Sequence, residues 1–124
     1  MSDRRTPRPG QAVRGSETGR PIMALFDLAG RRWTLRVLWE LMQADEPVTF
    51  RTLRDRCAAM SSSVLTRRVA ELRDAQLVER NADGYALSPL GRDLVVSMQP
   101  LVEWSERWAR RLQRDRVGAA STPD

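Results

Sequence analysis

The side chains of this chain that can do chemistry are arginines, carboxylates and a few hydroxyls. Its 124 residues contain 21 basic residues, all of them Arg, 16 acidic residues, one Cys, and neither His nor Lys. The lack of imidazole and amine side chains removes the common general bases, Schiff-base chemistry and His-based metal sites. The carboxylates are scattered and form no catalytic constellation. We therefore expect a protein that is not an enzyme and that needs no cofactor or metal.

The excess of arginine favours an anionic partner. The formal net charge is +5 and the sequence pI is about 11.0, values typical of proteins that bind nucleic acid. The alternative is that Arg without Lys reflects GC-rich coding. Residues 1–20 hold five Arg and two acidic residues, whereas residues 21–112 hold 14 Arg and 12 acidic residues. Because this body is nearly neutral, recognition depends on where its individual arginines stand.

One group of polar side chains occupies the start of a predicted helix at residues 62–75. An apolar stripe of Leu65, Val69 and Leu72 defines its buried side, and 100° per residue places the polar group on or beside the opposite face. A guanidinium there can bridge guanine O6 and N7, and hydroxyls are weaker, less selective donors. The predicted base-reading residues are Ser62, Ser63, Thr66 and Arg67. The alternative is an ordinary solvated helix face.

A second group of arginines suits the phosphate backbone of DNA. These side chains lie on or before the preceding helix, beside the apolar stripe of the 62–75 helix, and at the start of a hairpin. The predicted phosphate contacts are Arg51, Arg54, Arg68, Arg73 and Arg80. The alternative for each of these arginines is an exposed charge that contacts no partner.

The elements that must position these residues form a recognisable order. Apolar spacing predicts helices over residues 21–29, 31–43, 51–58 and 62–75, a short strand or cap at 48–50, strands at 77–80 and 85–87, and a last helix from about 89 to 112. The Asp83-Gly84 step between the two strands is a strong turn signal. A helix-turn-helix followed by a β-hairpin is the winged helix arrangement. We expect a mainly helical fold with one small hairpin.

Four tryptophans and the last helix indicate further contacts. Trp33, Trp39 and Trp104 are candidates to line a small-molecule pocket, although core or interface packing is the more common fate of Trp. In the last helix, apolar residues follow steps of three and four. The heptad-like seam comprises Leu94, Met98, Leu101, Ser105, Trp108 and Leu112. The residues of this helix predicted to form a dimer interface are Leu94, Met98, Leu101, Trp104 and Trp108. Two copies of such a seam would bury each other in a homodimer; the alternative is packing on its own domain.

Composition also divides the chain. Residues 1–20 are rich in Pro, Gly, Ser and Arg and predict a disordered basic arm, which either contacts DNA or acts as a solubilising tail. Residues 21–112 form the predicted folded domain, and residues 113–124 a flexible tail. A single Cys makes no intramolecular disulfide, and no apolar run is long enough for a membrane span or signal peptide. We expect a cytoplasmic protein without a membrane partner.

The residues resemble a known family. Residues 24–30 followed by 32–38 resemble the ALDLIGGKWTLLIL opening of HxlR-type transcriptional regulators, within the MarR-like winged helix group. The resemblance continues through residues 50–54, 60–72, 77–80 and 85–92 to Trp104, and covers about residues 21–108. It implies a homodimeric, DNA-binding bacterial regulator whose first and last helices form the dimer contact. On that basis Ile22 and Leu25 join the predicted dimer interface.

The chain departs from the family pattern at two places, the position of a redox-active Cys and the wing. Family members frequently carry a redox-active Cys just before the proline that opens the first helix, where this chain has Arg20. The only thiol, Cys57, falls on the inner stripe of its helix and is interpreted as a small core residue. The wing is also short, since only Asn81-Ala82-Asp83-Gly84 joins its strands.

The sequence therefore predicts a homodimeric, sequence-specific transcriptional regulator that binds a pseudo-palindromic operator in double-stranded DNA. The alternative function is a small-molecule sensor or resistance protein that uses the winged helix fold with an aromatic pocket. The two are compatible, because an effector can shift the population of the DNA-binding state. A winged helix that makes only protein contacts is a third hypothesis.

Overall fold

The computed structural model describes residues 6–121, and the described chain forms two compact units that divide after Asp93. The helices in that range are α1 (Pro21–Ala29), α2 (Thr34–Gln43), α3 (Phe50–Arg56), α4 (Ser62–Asp74), α5 (Pro89–Ser97) and α6 (Gln99–Ser121), and the strands are β1 (Val78–Asn81) and β2 (Gly84–Leu87). The predicted fold class, a mainly helical winged helix with one hairpin, is confirmed.

The junction between α1 and α2 is a turn rather than helix. α1 starts at Pro21, where the missing N–H costs nothing. α2 starts at Thr34, three residues later than predicted, because Trp33 has a φ of 76°, in the left-handed region. A non-glycine residue there interrupts a right-handed helix. This junction lies against α4, as shown below.

The core of the first unit joins α2, α3 and α4. Contacts of α2 reach α1, α3, α4 and β2. The side chains that are almost fully removed from solvent are Val37, Leu38, Leu53, Cys57, Leu65 and Leu72, with Leu41 and Val69 nearly so. The predicted inner faces of α3 and α4 are therefore confirmed, including the interpretation of Cys57 as a core residue.

The hairpin pairs β1 with β2 in antiparallel register, from Val78 opposite Leu87 to Asn81 opposite Gly84. Gly84 has a φ of 135°, and a Cβ there would lie 2.5 Å from the carbonyl oxygen of Val48. Val48 pairs with the other edge of β2, since its amide and carbonyl each bond the backbone of Tyr85 at 2.7 Å. The next residue, Thr49, caps α3 by accepting a bond from the Thr52 amide. Both alternatives for residues 48–50 are therefore present, a strand pairing and a cap.

The last predicted helix is two helices. The break falls at Met98, between α5 and α6. Pro100 lacks the N–H that would bond the carbonyl of Val96, so the hydrogen-bond ladder of a continuous helix is interrupted here. The α6 helix then continues to Ser121, beyond the predicted end at Leu112. Residues 122–124 of the predicted tail lie outside the described residues, as do residues 1–5 of the predicted arm.

The described part of the predicted arm, residues 6–20, has contacts of its own. Its chain turns so that the Gly10 amide bonds the Gly19 carbonyl at 2.7 Å. Arg8 forms an ion pair with Asp74 at the end of α4, at 2.8 Å. The Arg14 amide donates to a carboxylate oxygen of Asp27 in α1 at 3.1 Å. The boundary between arm and domain stays a prediction.

No helix among residues 6–121 is long and apolar enough to cross a membrane.

Candidate nucleic-acid interface

The start of α4 is fixed by a cap and by its buried stripe. The Ser61 hydroxyl accepts a bond from the Val64 amide, which satisfies one of the four free N–H groups of the helix start. On one side of the helix, Leu65 is fully buried and Val69 nearly so. α3 and the short linker 57–61 precede α4, which gives the helix-turn-helix arrangement. In the first turns of α4, the residues away from the stripe face solvent, whereas Glu71, one turn after Arg67, is buried.

The predicted base-reading side chains lie together on this outer side. Ser63, Thr66 and Arg67 are exposed and Ser62 is partly exposed. The Thr66 hydroxyl donates to the Ser62 carbonyl at 2.9 Å, so its proton is already used and it is left as an acceptor. Arg67 forms no hydrogen bond or ion pair with the residues that the structure describes. Its guanidinium donors are available to an external partner.

Arg51 and Arg54 occupy the exposed side of α3. Neither side chain has an ion pair or hydrogen bond within residues 6–121. Both are carried by the helix that precedes α4, and this is the helix that crosses the backbone when the second helix of the motif enters the major groove.

Two other predicted phosphate contacts are exposed at the end of α4 and in the hairpin. Arg73, in the last turn of α4, is exposed and has no ion pair among the described residues. Arg80, on β1, is also exposed, with its guanidinium carbon 5.6 Å from the ring centre of Tyr85. An arginine stacked in this way keeps its edge donors available.

Arg68 differs from the other predicted phosphate contacts because it points into the fold. Its Nε donates to the Arg32 carbonyl at 2.7 Å, and its Nη1 donates to Glu71 Oε1 at 2.6 Å. The side chain is only 13% exposed. A phosphate contact would have to break both bonds, so Arg68 is not part of the function proposed below.

The partner of Arg68 belongs to a buried cluster of charges that the periodicity of α4 did not predict. Glu71 is 5% exposed and also pairs with Arg31 from the α1–α2 junction. Arg31 in turn lies 3.7 Å from Asp27 of α1. The signal in the sequence is the Arg68–Glu71 spacing of three residues, which favours an ion pair on one helix side. No pattern within α4 indicates that Glu71 also pairs with Arg31, which lies forty residues earlier in the chain.

The three tryptophans of the predicted aromatic pocket fall in both units, Trp33 and Trp39 in the first and Trp104 in the second. Trp33 is partly buried at the start of α2 beside the Arg32 guanidinium, and Trp39 is 38% exposed farther along the helix. A cleft of about 290 Å³ lies between residues 6–17 and α1, but its lining includes neither tryptophan. In the second unit, Trp104 stacks on Trp108 with ring centres 5.6 Å apart. An effector pocket formed by these residues stays a prediction.

The residues predicted to form the dimer interface differ in exposure. In α1, Ile22 is 48% exposed and Leu25 is partly buried. In the second unit, Leu94 and Met98 are partly buried. On α6, Leu101, Trp104 and Trp108 are each more than half exposed.

The only thiol of the chain, Cys57, is buried in the core. Burial raises the pKa of the Cys57 thiol, the negative charge of Glu40 raises it further, and Arg36 opposes these effects. A raised pKa disfavours the reactive thiolate. The burial and the raised pKa of Cys57 therefore favour its interpretation as a core residue.

The order of elements, the exposed outer side of α4 and the short wing can be compared with known proteins. A family model described as HxlR-like helix-turn-helix matches residues 28–113. The chain belongs to this HxlR-like family. Since the family consists of helix-turn-helix transcriptional regulators, the chain is a DNA-binding transcriptional regulator of the HxlR family.

Solved structures of similar proteins agree with the HxlR assignment. Quinone-bound YodB from Bacillus subtilis is 28% identical with a TM-score of 0.64, and the match covers 69% of this chain and 96% of that one. A protein from Thermoplasma volcanium described as a possible HxlR family transcriptional factor is also 28% identical, with a TM-score of 0.63 and coverage of 69% and 82%.

A third structure supports the fold alone. A protein from Enterococcus faecalis described as a transcriptional regulator of the MarR family is 23% identical, has a TM-score of 0.68, and matches 82% of this chain and 97% of that one. The predicted resemblance to HxlR-type regulators within the MarR-like winged helix group is confirmed.

Proposed function

We propose that this HxlR-family protein binds, as a homodimer, a pseudo-palindromic operator whose half-sites lie one helical turn apart, about 34–36 Å. Each α4 enters the major groove of one half-site. Such a regulator acts on the chromosome, in the cytoplasm of a bacterial cell.

The observation that carries this proposal is that the side chain of Arg67 is exposed and has no partner among the described residues. It lies on the outer side of a helix that is capped at Ser61 and held by Leu65 and Val69. Its guanidinium has no partner among the described residues and matches the O6 and N7 acceptors of guanine. Ser62, Ser63 and Thr66 add less selective contacts around it.

The phosphate contacts in this proposal are Arg51, Arg54, Arg73 and Arg80. All four are exposed and none is in an ion pair within the described chain. They lie on α3, at the end of α4 and on the wing, so they flank the base-reading residues along the chain. Contacts of this kind position the protein without reading sequence.

The homodimer is supported by α6. Leu101, Trp104, Trp108 and Leu112 are each more than half exposed and recur at steps of three and four. A second copy of the helix would remove this apolar surface from water. Ile22, Leu25, Leu94 and Met98 complete the proposed interface.

The test of base reading is the substitution Arg67→Ala. We expect the preference for the operator over a scrambled duplex to fall by about tenfold or more per half-site, because one bidentate contact to guanine provides about 1–3 kcal/mol of discrimination. The operator duplex is first selected from a random-sequence library by the wild-type protein. Gel-shift titrations of both duplexes at several salt concentrations measure the effect.

Arg54→Ala is the matched control, because it removes the same charge from a proposed phosphate contact. It should weaken binding to both duplexes alike and lower the salt slope by about one per subunit. Full operator preference in Arg67→Ala would contradict the base-reading assignment.

Response to a small molecule is the second candidate function. YodB, a neighbour in structure, was solved with a bound quinone. The partly buried Trp33 and the exposed Trp39 and Trp104 are the candidate aromatic contacts here. The same wild-type titration, repeated with added benzoquinone, tests this response, and unchanged operator affinity would count against it.

A further inference from the structure

Between the α1–α2 junction and α4 lies a buried, charge-balanced cluster of Asp27, Arg31, Arg68 and Glu71. The side chains of all four are 13% exposed or less. Glu71 stands at the centre, because its Oε1 accepts from Arg68 and its Oε2 accepts from Arg31. Arg68 adds a second bond to the carbonyl of Arg32. The cluster therefore ties α4 to the junction through both a side chain and the backbone.

These bonds restrain the helix in a way that its apolar stripe does not. Burial of Leu65, Val69 and Leu72 is favourable over a range of small rotations, because the hydrophobic effect is not directional. Hydrogen bonds between charged groups are directional and weaken steeply when misaligned. A rotation of α4 about its own axis would break the bonds of Arg68 and Glu71 first.

The restrained side of α4 is next to the side that carries Arg67. Glu71 follows Arg67 by four residues and so lies one turn farther along nearly the same helix side. Arg68 is the next residue in the chain. Any rotation that the cluster prevents would move the Arg67 guanidinium relative to a base edge.

We propose that Glu71, held between Arg31 and Arg68, is a positioning residue that sets the orientation of α4 and thereby the sequence discrimination of Arg67. This inference rests on the proposed base reading by α4. It gives Arg68 a role opposite to a phosphate contact: Arg68 affects specificity and leaves the electrostatic part of DNA binding unchanged.

Two substitutions test this positioning role. Glu71→Gln keeps the shape of the side chain and removes the charge that both arginines share. Arg68→Lys keeps the positive charge and loses the fork that bonds Glu71 and the Arg32 carbonyl together. For each variant the measurement is the affinity for the selected operator and for a scrambled duplex at several salt concentrations, below the midpoint of thermal unfolding.

We expect both variants to lose about tenfold of operator preference, the value of roughly one misplaced base contact, with an unchanged salt slope. A purely structural role would change the unfolding midpoint but leave the preference of the folded protein intact. If Arg68 were a phosphate contact, the lysine variant would keep its preference, because lysine also binds phosphate as a point charge.

Glu46→Gln is the charge-matched control for Glu71→Gln, because Glu46 is exposed in the loop between α2 and α3. It should keep the wild-type preference, and any general gain in DNA affinity from the lost negative charge will appear in it as well. If Glu71→Gln does not fold, the operator preference of the milder Arg68→Lys variant tests the positioning role.

Unchanged operator preference in folded Arg68→Lys or Glu71→Gln would overturn the inference. The Arg67→Ala titration separates this failure from a failure of the proposed function. If Arg67→Ala loses preference and the cluster variants do not, α4 reads bases but the cluster does not position it. If Arg67→Ala also retains preference, the base-reading proposal itself fails.

Discussion

At the scale of single residues, Arg67 and Arg68 are neighbours in sequence with opposite environments. Arg67 is exposed and free of ion pairs within the described chain, whereas Arg68 is 13% exposed and bonded to Glu71 and to a carbonyl. A helix turns 100° per residue, so adjacent side chains point in different directions. The same chemical group is therefore available to an external partner at one position and used in internal packing at the next.

Cys57 allows a prediction about pH. Because burial raises the pKa of this thiol in the folded state, the unfolded chain loses its proton first as the pH rises. The free energy of unfolding should therefore fall once the pH passes the ordinary thiol value of about 8.5, by about 1.4 kcal/mol for each unit of difference between the two pKa values. Urea unfolding at pH 7 and pH 9.5 measures this loss.

The control is Cys57→Ala, which lacks the thiol. This variant should be less stable at both pH values, because it leaves a cavity, and should show a smaller fall between them. The native protein should also react slowly with iodoacetamide. An equal pH dependence in the two proteins, or rapid alkylation of the native thiol, would contradict this account.

At the scale of elements, the approach of α5 to the start of β1 depends on one glycine. A Cβ at Gly91 would overlap the Leu77 carbonyl oxygen and lie 2.9 Å from its carbon. The Ser88 hydroxyl fixes the same region, since it accepts from the Gly91 amide at 2.9 Å and donates to the Gln76 carbonyl at 2.7 Å. The contact is between backbones, so no side chain can move aside.

We expect Gly91→Ala to lower the free energy of unfolding by about 1–3 kcal/mol, the typical cost of forcing an extra methyl group into a packed site. Gly118→Ala is the matched control, because a Cβ there meets no atom within 4 Å and Gly118 lies inside α6. Alanine should stabilise that helix by up to about 1 kcal/mol. Thermal unfolding measures the change in stability of both variants, which we expect to have opposite signs. Equal changes would contradict the close backbone contact at Gly91.

At the scale of the whole molecule, the proposed dimer determines whether two copies of α4 can meet one operator. The stacked pair of Trp104 and Trp108 lies on α6, and each residue is about half exposed. Aromatic surface of this size is among the strongest contributions to an interface when it is buried. A monomer would contact a single half-site and would bind the operator weakly.

Trp108→Glu should convert the dimer to a monomer, because it places a charge in the apolar seam. Arg110→Gln changes the net charge by the same amount on the other side of α6 and should remain dimeric. Size-exclusion chromatography with light scattering gives the mass of each variant. A dimeric Trp108→Glu variant, or a monomeric wild-type protein, would contradict the proposed interface.

Much of the fold follows from spacing within single segments. The stripe of Leu65, Val69 and Leu72 correctly predicted the buried side of α4, and the Asp83-Gly84 step correctly predicted the hairpin turn. These predictions hold because periodicity and turn preferences are properties of a few neighbouring residues. The exclusion of His and Lys chemistry and the resemblance to HxlR regulators likewise required the sequence alone.

Contacts between distant segments were decided only by the tertiary structure. The spacing of α4 makes Glu71 and Arg68 look like surface charges, and they are buried because Arg31 and the Arg32 carbonyl reach them from the α1–α2 junction. The same junction contains the left-handed turn at Trp33, which the apolar pattern of α2 did not predict. A charge is buried only when its partner is brought to it, and the partner here lies about forty residues away in the chain.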